Sequence, residues 1–89
     1  METPGETGEA RLKRLRLRAW RRGMREMDLL FGRFADAELS GLTAAELDDF
    51  ESLLLENDQD LYLWISRKSG QPERFDDIVR RISAFHGLA

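Results

Sequence analysis

The side chains in this sequence that could do chemistry are few, and most of them exclude a reaction. His86 is the only histidine and there is no cysteine. Neither a histidine-based metal cluster, a Ser-His triad nor a thiolate nucleophile can be assembled from such a set. Neighbouring acids at Asp48 and Asp49, and at Asp58 and Asp60, are the remaining acid–base candidates. Asp58 is better placed as a helix cap, and Asp48 and Asp49 as a solvated helix face. The chain is therefore expected to be non-enzymatic.

The most informative stretch is Arg22-Gly23-Met24-Arg25-Glu26. On a helix, Arg22 and Glu26 would be neighbours one turn apart, and Leu29 and Arg33 would continue their row. That row lies nearly opposite a stripe of Met24, Met27, Phe31 and Phe34, whose spacing faces a core. Gly23 borders the row. A glycine inside a helix costs about 1 kcal/mol relative to alanine. Two accounts stand side by side: close approach of a partner's backbone, or a helix junction needing an unusual backbone angle.

Helical periodicity recurs along the whole chain, and no strand-like alternation persists. Five segments result: residues 10–20, 22–35, a third opening at Thr43, a fourth capped at Asn57 or Asp58, and 72–86. Thr43 and Glu46 have the spacing of a capping box, with Leu42 and Leu47 in the staple positions. Core candidates are Leu12, Leu15 and Ala19, then Leu47, Phe50, Leu53 and Leu54. Leu61, Trp64 and Ile65 follow, and then Phe75, Ile78, Val79, Ile82 and Phe85. Gly87 supplies a stop. The expected fold is all-α, a compact bundle of about five short helices. Residues 1–10, with Pro4, Gly5 and Gly8, read as a disordered tail, and 11–89 as one domain.

Hydrophobic residues make up 42% of the 89, enough for one modest core, and net charge is only −3. The charge is segregated. Eight cations from Arg11 to Arg25 run without an intervening acid, and nine acids from Asp36 to Asp60 run without an intervening base. The basic segment with Trp20 offers an alternative reading as a nucleic-acid surface, opposed by the acidic middle and the net negative charge. Glu2, Glu6 and Glu9 at the start fit neither a secretory signal nor a transit peptide, and a cytoplasmic location is expected. A membrane role for the first helix has only a narrow apolar stripe behind it.

Arg22-Gly23-Met24-Arg25-Glu26, followed by Met27-Asp28-Leu29-Leu30, resembles the RGxxE signature of the succinate dehydrogenase flavinylation factors, also called FAD assembly factors. Leu42-Thr43, Phe50-Glu51 and Leu53-Leu54 are similar to that family's middle helix. Asp58-Gln59-Asp60-Leu61-Tyr62-Leu63-Trp64 is similar to its acidic-capped helix, and Ile78 and Ile82 fit its last one. The likeness runs from about Arg14 to Phe85. It implies a helical assembly factor that binds the flavoprotein subunit of succinate dehydrogenase, with fumarate reductase as a second client candidate. It also implies that FAD becomes covalently attached to the client and is not held stably here. Arg22, Gly23 and Glu26 map onto the docking signature, and Arg25 and Asp28 are adjacent candidates. Leu29 and Arg33 complete the expected contact surface. A monomer is expected, with neither nucleic acid nor membrane as partner.

Overall fold

A computed structural model describes residues 7–88. Among them are five α-helices, in order α1 (Gly8–Trp20), α2 (Arg25–Glu38), α3 (Ala44–Leu53), α4 (Asp58–Ile65) and α5 (Asp76–Phe85). Short 3-10 turns at Leu39–Gly41 and Glu73–Phe75 lead into α3 and α5. The all-α expectation holds. No helix of the described residues is long and apolar enough to cross a membrane.

Helix α1 opens at Gly8, because the Thr7 side chain accepts from the Ala10 N–H and caps it. Residues 7–10 are thus the cap and first turn of a helix and not part of a tail; the rest of the expected tail lies outside the described residues. Helix α3 carries the full capping box, with the Thr43 N–H donating to Glu46 at 2.8 Å and the Glu46 N–H donating to Thr43 at 3.2 Å. That backbone contact, aided by Arg81, holds the Glu46 carboxyl below its ordinary range. Leu42 is buried and Leu47, at the other staple position, packs against the core. Asn57, rather than Asp58, caps α4. Helix α4 ends at Ile65, and Arg67 turns the chain at φ 65°. At the end of α5 the Gly87 N–H donates to Ala84 and the Leu88 N–H to Ser83, with Gly87 at φ 72°, which is a Schellman stop.

The core gathers one face from every helix. Phe31, Phe34 and Phe50 form its aromatic centre, with ring centroids 5.8 to 6.1 Å apart. Trp64 packs against Phe75 at 6.1 Å. Of the residues expected inside, Leu12 and Leu47 are only partly buried, Met24 is 49% exposed, and Phe85 is 40% exposed with its ring perpendicular to Phe34.

Helix α1 packs along α2 and is pinned by ion pairs to α3. Arg11, 3% exposed, reaches Asp48 at 2.6 Å and Glu51 at 3.1 Å, and Arg14 reaches Glu51 at 2.8 Å. The Arg14 guanidinium holds the Glu51 carboxyl below its ordinary range, against the burial that would raise it, and Arg11 adds to the pull. Part of the basic run is thereby spent on the acidic run inside one molecule. The two helices are also joined by a close approach at Gly32, in the middle of α2. A Cβ added there would lie 2.2 Å from Trp20 Cδ2. The indole fills the space, and its Nε1–H donates to Asp36 at 3.1 Å.

Candidate docking site

The segment carrying the signature is not helical where the periodicity places it. Helix α2 begins at Arg25, so Arg22, Gly23 and Met24 form the connection from α1. Two local causes account for the late start. Gly23 sits at φ 102°, a backbone angle that L side chains rarely adopt and that is incompatible with a helix. Asp28 then turns back along its own helix, and its Oδ1 accepts the Arg22 N–H at 2.6 Å and the Gly23 N–H at 3.3 Å. Met24 is the N-cap residue but makes no side-chain cap, so Asp28 takes over satisfaction of the loop's donors.

This geometry rearranges the expected site. Arg22 does not pair with Glu26. Its guanidinium points inward, 11% exposed, and ties the loop to the end of α3 and the start of α4. It donates to the carbonyl oxygens of Leu54 and Glu56 and pairs with Asp58 at 2.7 Å. The guanidinium also lies 5.6 Å from the Phe31 ring centroid. Helix C-terminal carbonyls lack intrahelical donors and carry partial negative charge, so a planar cation with several N–H groups suits the place. Arg22 is therefore a clamp within the fold, and Asp28, half-buried, is the brace of its loop.

The other expected residues face solvent, apart from Leu29, which is half-buried. Gly23 is exposed, and nothing lies within 4 Å of where its Cβ would stand. Of the two accounts of this glycine, the local geometry supplies the junction, and the open space leaves room for approach. Arg25, Glu26 and Arg33 are exposed and make no hydrogen bond or ion pair among the described residues. Glu26 stands between two hollows. One, of about 360 Å³, is lined by Glu26, Leu29, Leu30, Arg33, Tyr62, Ser66, His86 and Leu88. The other, of about 250 Å³, is lined by Met24, Glu26, Met27, Asp58, Gln59 and Tyr62. Glu26 and Tyr62 belong to both, so the hollows form one groove with a carboxylate and a phenol at its waist.

Helix α2 supplies one wall of this groove, and α4 with the end of α5 the other. His86 Nε2 lies 2.7 Å from the Leu30 carbonyl oxygen and ties the walls together. The residue periodicity identifies Glu26, Leu29 and Arg33 but misses Met24, Tyr62 and Leu88. Tyr62 had a legible signal: it falls off the Leu61, Trp64 and Ile65 stripe of α4 and must point outward.

Comparison with known proteins bears on this site. Residues 13–86 match the family model described as flavinator of succinate dehydrogenase. Three similar proteins are each named succinate dehydrogenase assembly factor 2, mitochondrial. The one from Mycosarcoma maydis is 41% identical over 78 residues, covering 84% of this chain and 33% of its own. That from Dictyostelium discoideum is 38% identical over 74 residues, covering 83% and 52%. That from Scheffersomyces stipitis is 44% identical over 63 residues, covering 71% and 42%. The chain thus spans between a third and about half the length of these relatives. Their names overturn the expectation of a cytoplasmic location and point to the mitochondrion. With a match across both the signature loop and the helices that build the groove, the chain belongs to the succinate dehydrogenase flavinator family.

Proposed function

We propose that this protein is a non-catalytic assembly factor that binds the flavoprotein subunit of succinate dehydrogenase and promotes covalent attachment of FAD to it. The observation that carries the reading is the groove around Glu26. Glu26, a carboxylate with no partner among the described residues, stands beside Leu29 and Met27, and three residues before it Gly23 has open space above it. Such a group gains most when a partner's donor buries it, because a charge-assisted hydrogen bond shielded from water is among the stronger polar contacts. Arg25 and Arg33 flank it as further contacts, and Arg22 and Asp28 hold the loop that presents it.

The chemistry of flavin attachment belongs to the cofactor and the client, and FAD is matured on the client rather than stored here. This chain's part is to hold the client in a reactive arrangement. The test replaces Glu26 by alanine and Gly23 by arginine in a strain lacking the gene. Flavin fluorescence is then read on the denatured flavoprotein subunit. Both variants are expected to lower the covalent flavin signal while Glu26→Ala leaves the thermal midpoint unchanged. A normal flavin signal with both variants would refute the proposal.

A further inference from the structure

The family's signature leaves one surface of this chain unused. The outward face of α1 carries Lys13, Arg16, Arg18 and, just past its end, Arg21. None of these side chains makes an ion pair or hydrogen bond among the described residues, whereas Arg11 and Arg14 on the same helix are met by Asp48 and Glu51. Lys13 with Arg16, and Arg18 with Arg21, are like charges one turn apart, a spacing that weakens a helix standing alone. Leu17 stands among them, 47% exposed. It forms a ridge between two hollows. One, of about 530 Å³, is floored by Ala10 and Trp20 with Lys13 and Arg16 at its sides and Glu9 at its rim. The other, of about 380 Å³, lies against Arg18, Arg21 and Arg22. The floor is stiff, because Trp20 is seated on Gly32 and held by Asp36.

We propose that this face is a second contact surface for the same client, taking an acidic segment that seats an apolar side chain beside Leu17. The inference rests on the function proposed above and extends it. Two observations select the occupant. Inside the molecule, carboxylates are what satisfy the cations of this helix, and the unpaired ones call for the same complement. The face also borders the signature loop: Arg21 is two residues from Gly23, no more than ~8 Å along the chain, so one partner can reach both. A lipid surface is the poorer fit. Leu17 is the sole large apolar side chain exposed on this helix, and Trp20 is already committed to α2.

The experiment measures binding of the purified flavoprotein subunit of succinate dehydrogenase at about 0.05 M and about 0.3 M salt. The native chain is compared with Glu26→Ala, with Arg16→Glu/Arg21→Glu, and with the conservative Arg16→Lys/Arg21→Lys. All variants are first checked for an unchanged thermal midpoint. The charge-reversed pair is expected to associate roughly tenfold more slowly at low salt and to lose the salt dependence of the native chain. The lysine pair should behave as native. If the charge-reversed pair binds like the native chain at both salt concentrations while Glu26→Ala binds more weakly, the second surface is refuted and the function stands. No binding by the native chain would overturn both. Sedimentation with phosphatidylglycerol vesicles, or a shift of duplex DNA, that is lost in the charge-reversed pair while client binding is kept would assign the face to another anion and refute the inference.

Discussion

Replacing Arg22 by alanine separates a clamp from a contact. The guanidinium serves two carbonyl oxygens and the Asp58 carboxylate, and it is 11% exposed. A hydrogen bond to a charged group contributes about 1.5–3 kcal/mol, but three on one side chain do not add. Breaking a fully buried pair costs about 3–5 kcal/mol. Asp58 is 19% exposed, so water can recover part of its loss, and the lower end applies. A loss of about 3 kcal/mol follows. A domain of 89 residues holds roughly 4–13 kcal/mol in total, so the variant still folds at low temperature. The thermal midpoint should fall by roughly 12–24 °C. Arg22→Lys should recover little, because an ammonium cannot reach three acceptors in a planar fork. Thermal melts by circular dichroism give the midpoint, and client binding is measured well below it. A midpoint within about 4 °C of native, together with lost binding, would show that Arg22 reaches the partner and that the clamp is wrong.

Three further perturbations test the elements that hold the site. Gly23→Ala should cost about 1–3 kcal/mol through its backbone alone, since φ is 102° and the space above it is open. D-Alanine at the same position, introduced by chemical ligation, should restore stability; equal stability of the L-alanine form would refute the strain. Gly32→Ala should expel the indole of Trp20, cost about 1–3 kcal/mol and shift tryptophan emission to the red. Unchanged emission would show that α1 can slide to accept a methyl group. Glu51 has a folded pKa below its ordinary value of 4.5, so its ion pairs stabilise the fold above that pH and are lost as pH falls through the folded value. The midpoint difference between native and Glu51→Gln should therefore be full near pH 7 and shrink below about pH 4.5. A difference constant down to pH 3 would place the stabilisation elsewhere.

Most of the bundle was legible because its helices carry their own boundaries. Thr43 and Glu46 state where α3 begins, and Gly87 states where α5 ends, through backbone groups only a few residues away. The docking segment was legible in composition and misread in conformation. Periodicity treats Arg22 to Phe34 as one helix, since it weighs side-chain polarity and ignores where backbone donors go. Asp28 captures two of them, and Arg22 finds acceptors more than thirty residues away. No local pattern reports a partner at that separation. The same limit hid the reason for Gly32, which is explained only by a ring on another helix.

The hydrogen bond between His86 and Leu30 has a consequence for what any partner can recognise. It joins segments 56 residues apart into a single surface. That surface is an epitope of the tertiary fold, not of a linear motif. A synthetic peptide spanning residues 22–33 would carry every signature side chain and lack Tyr62, Leu88 and the opposing wall. Recognition then doubles as inspection: a partner that reads this groove engages only molecules that have finished folding.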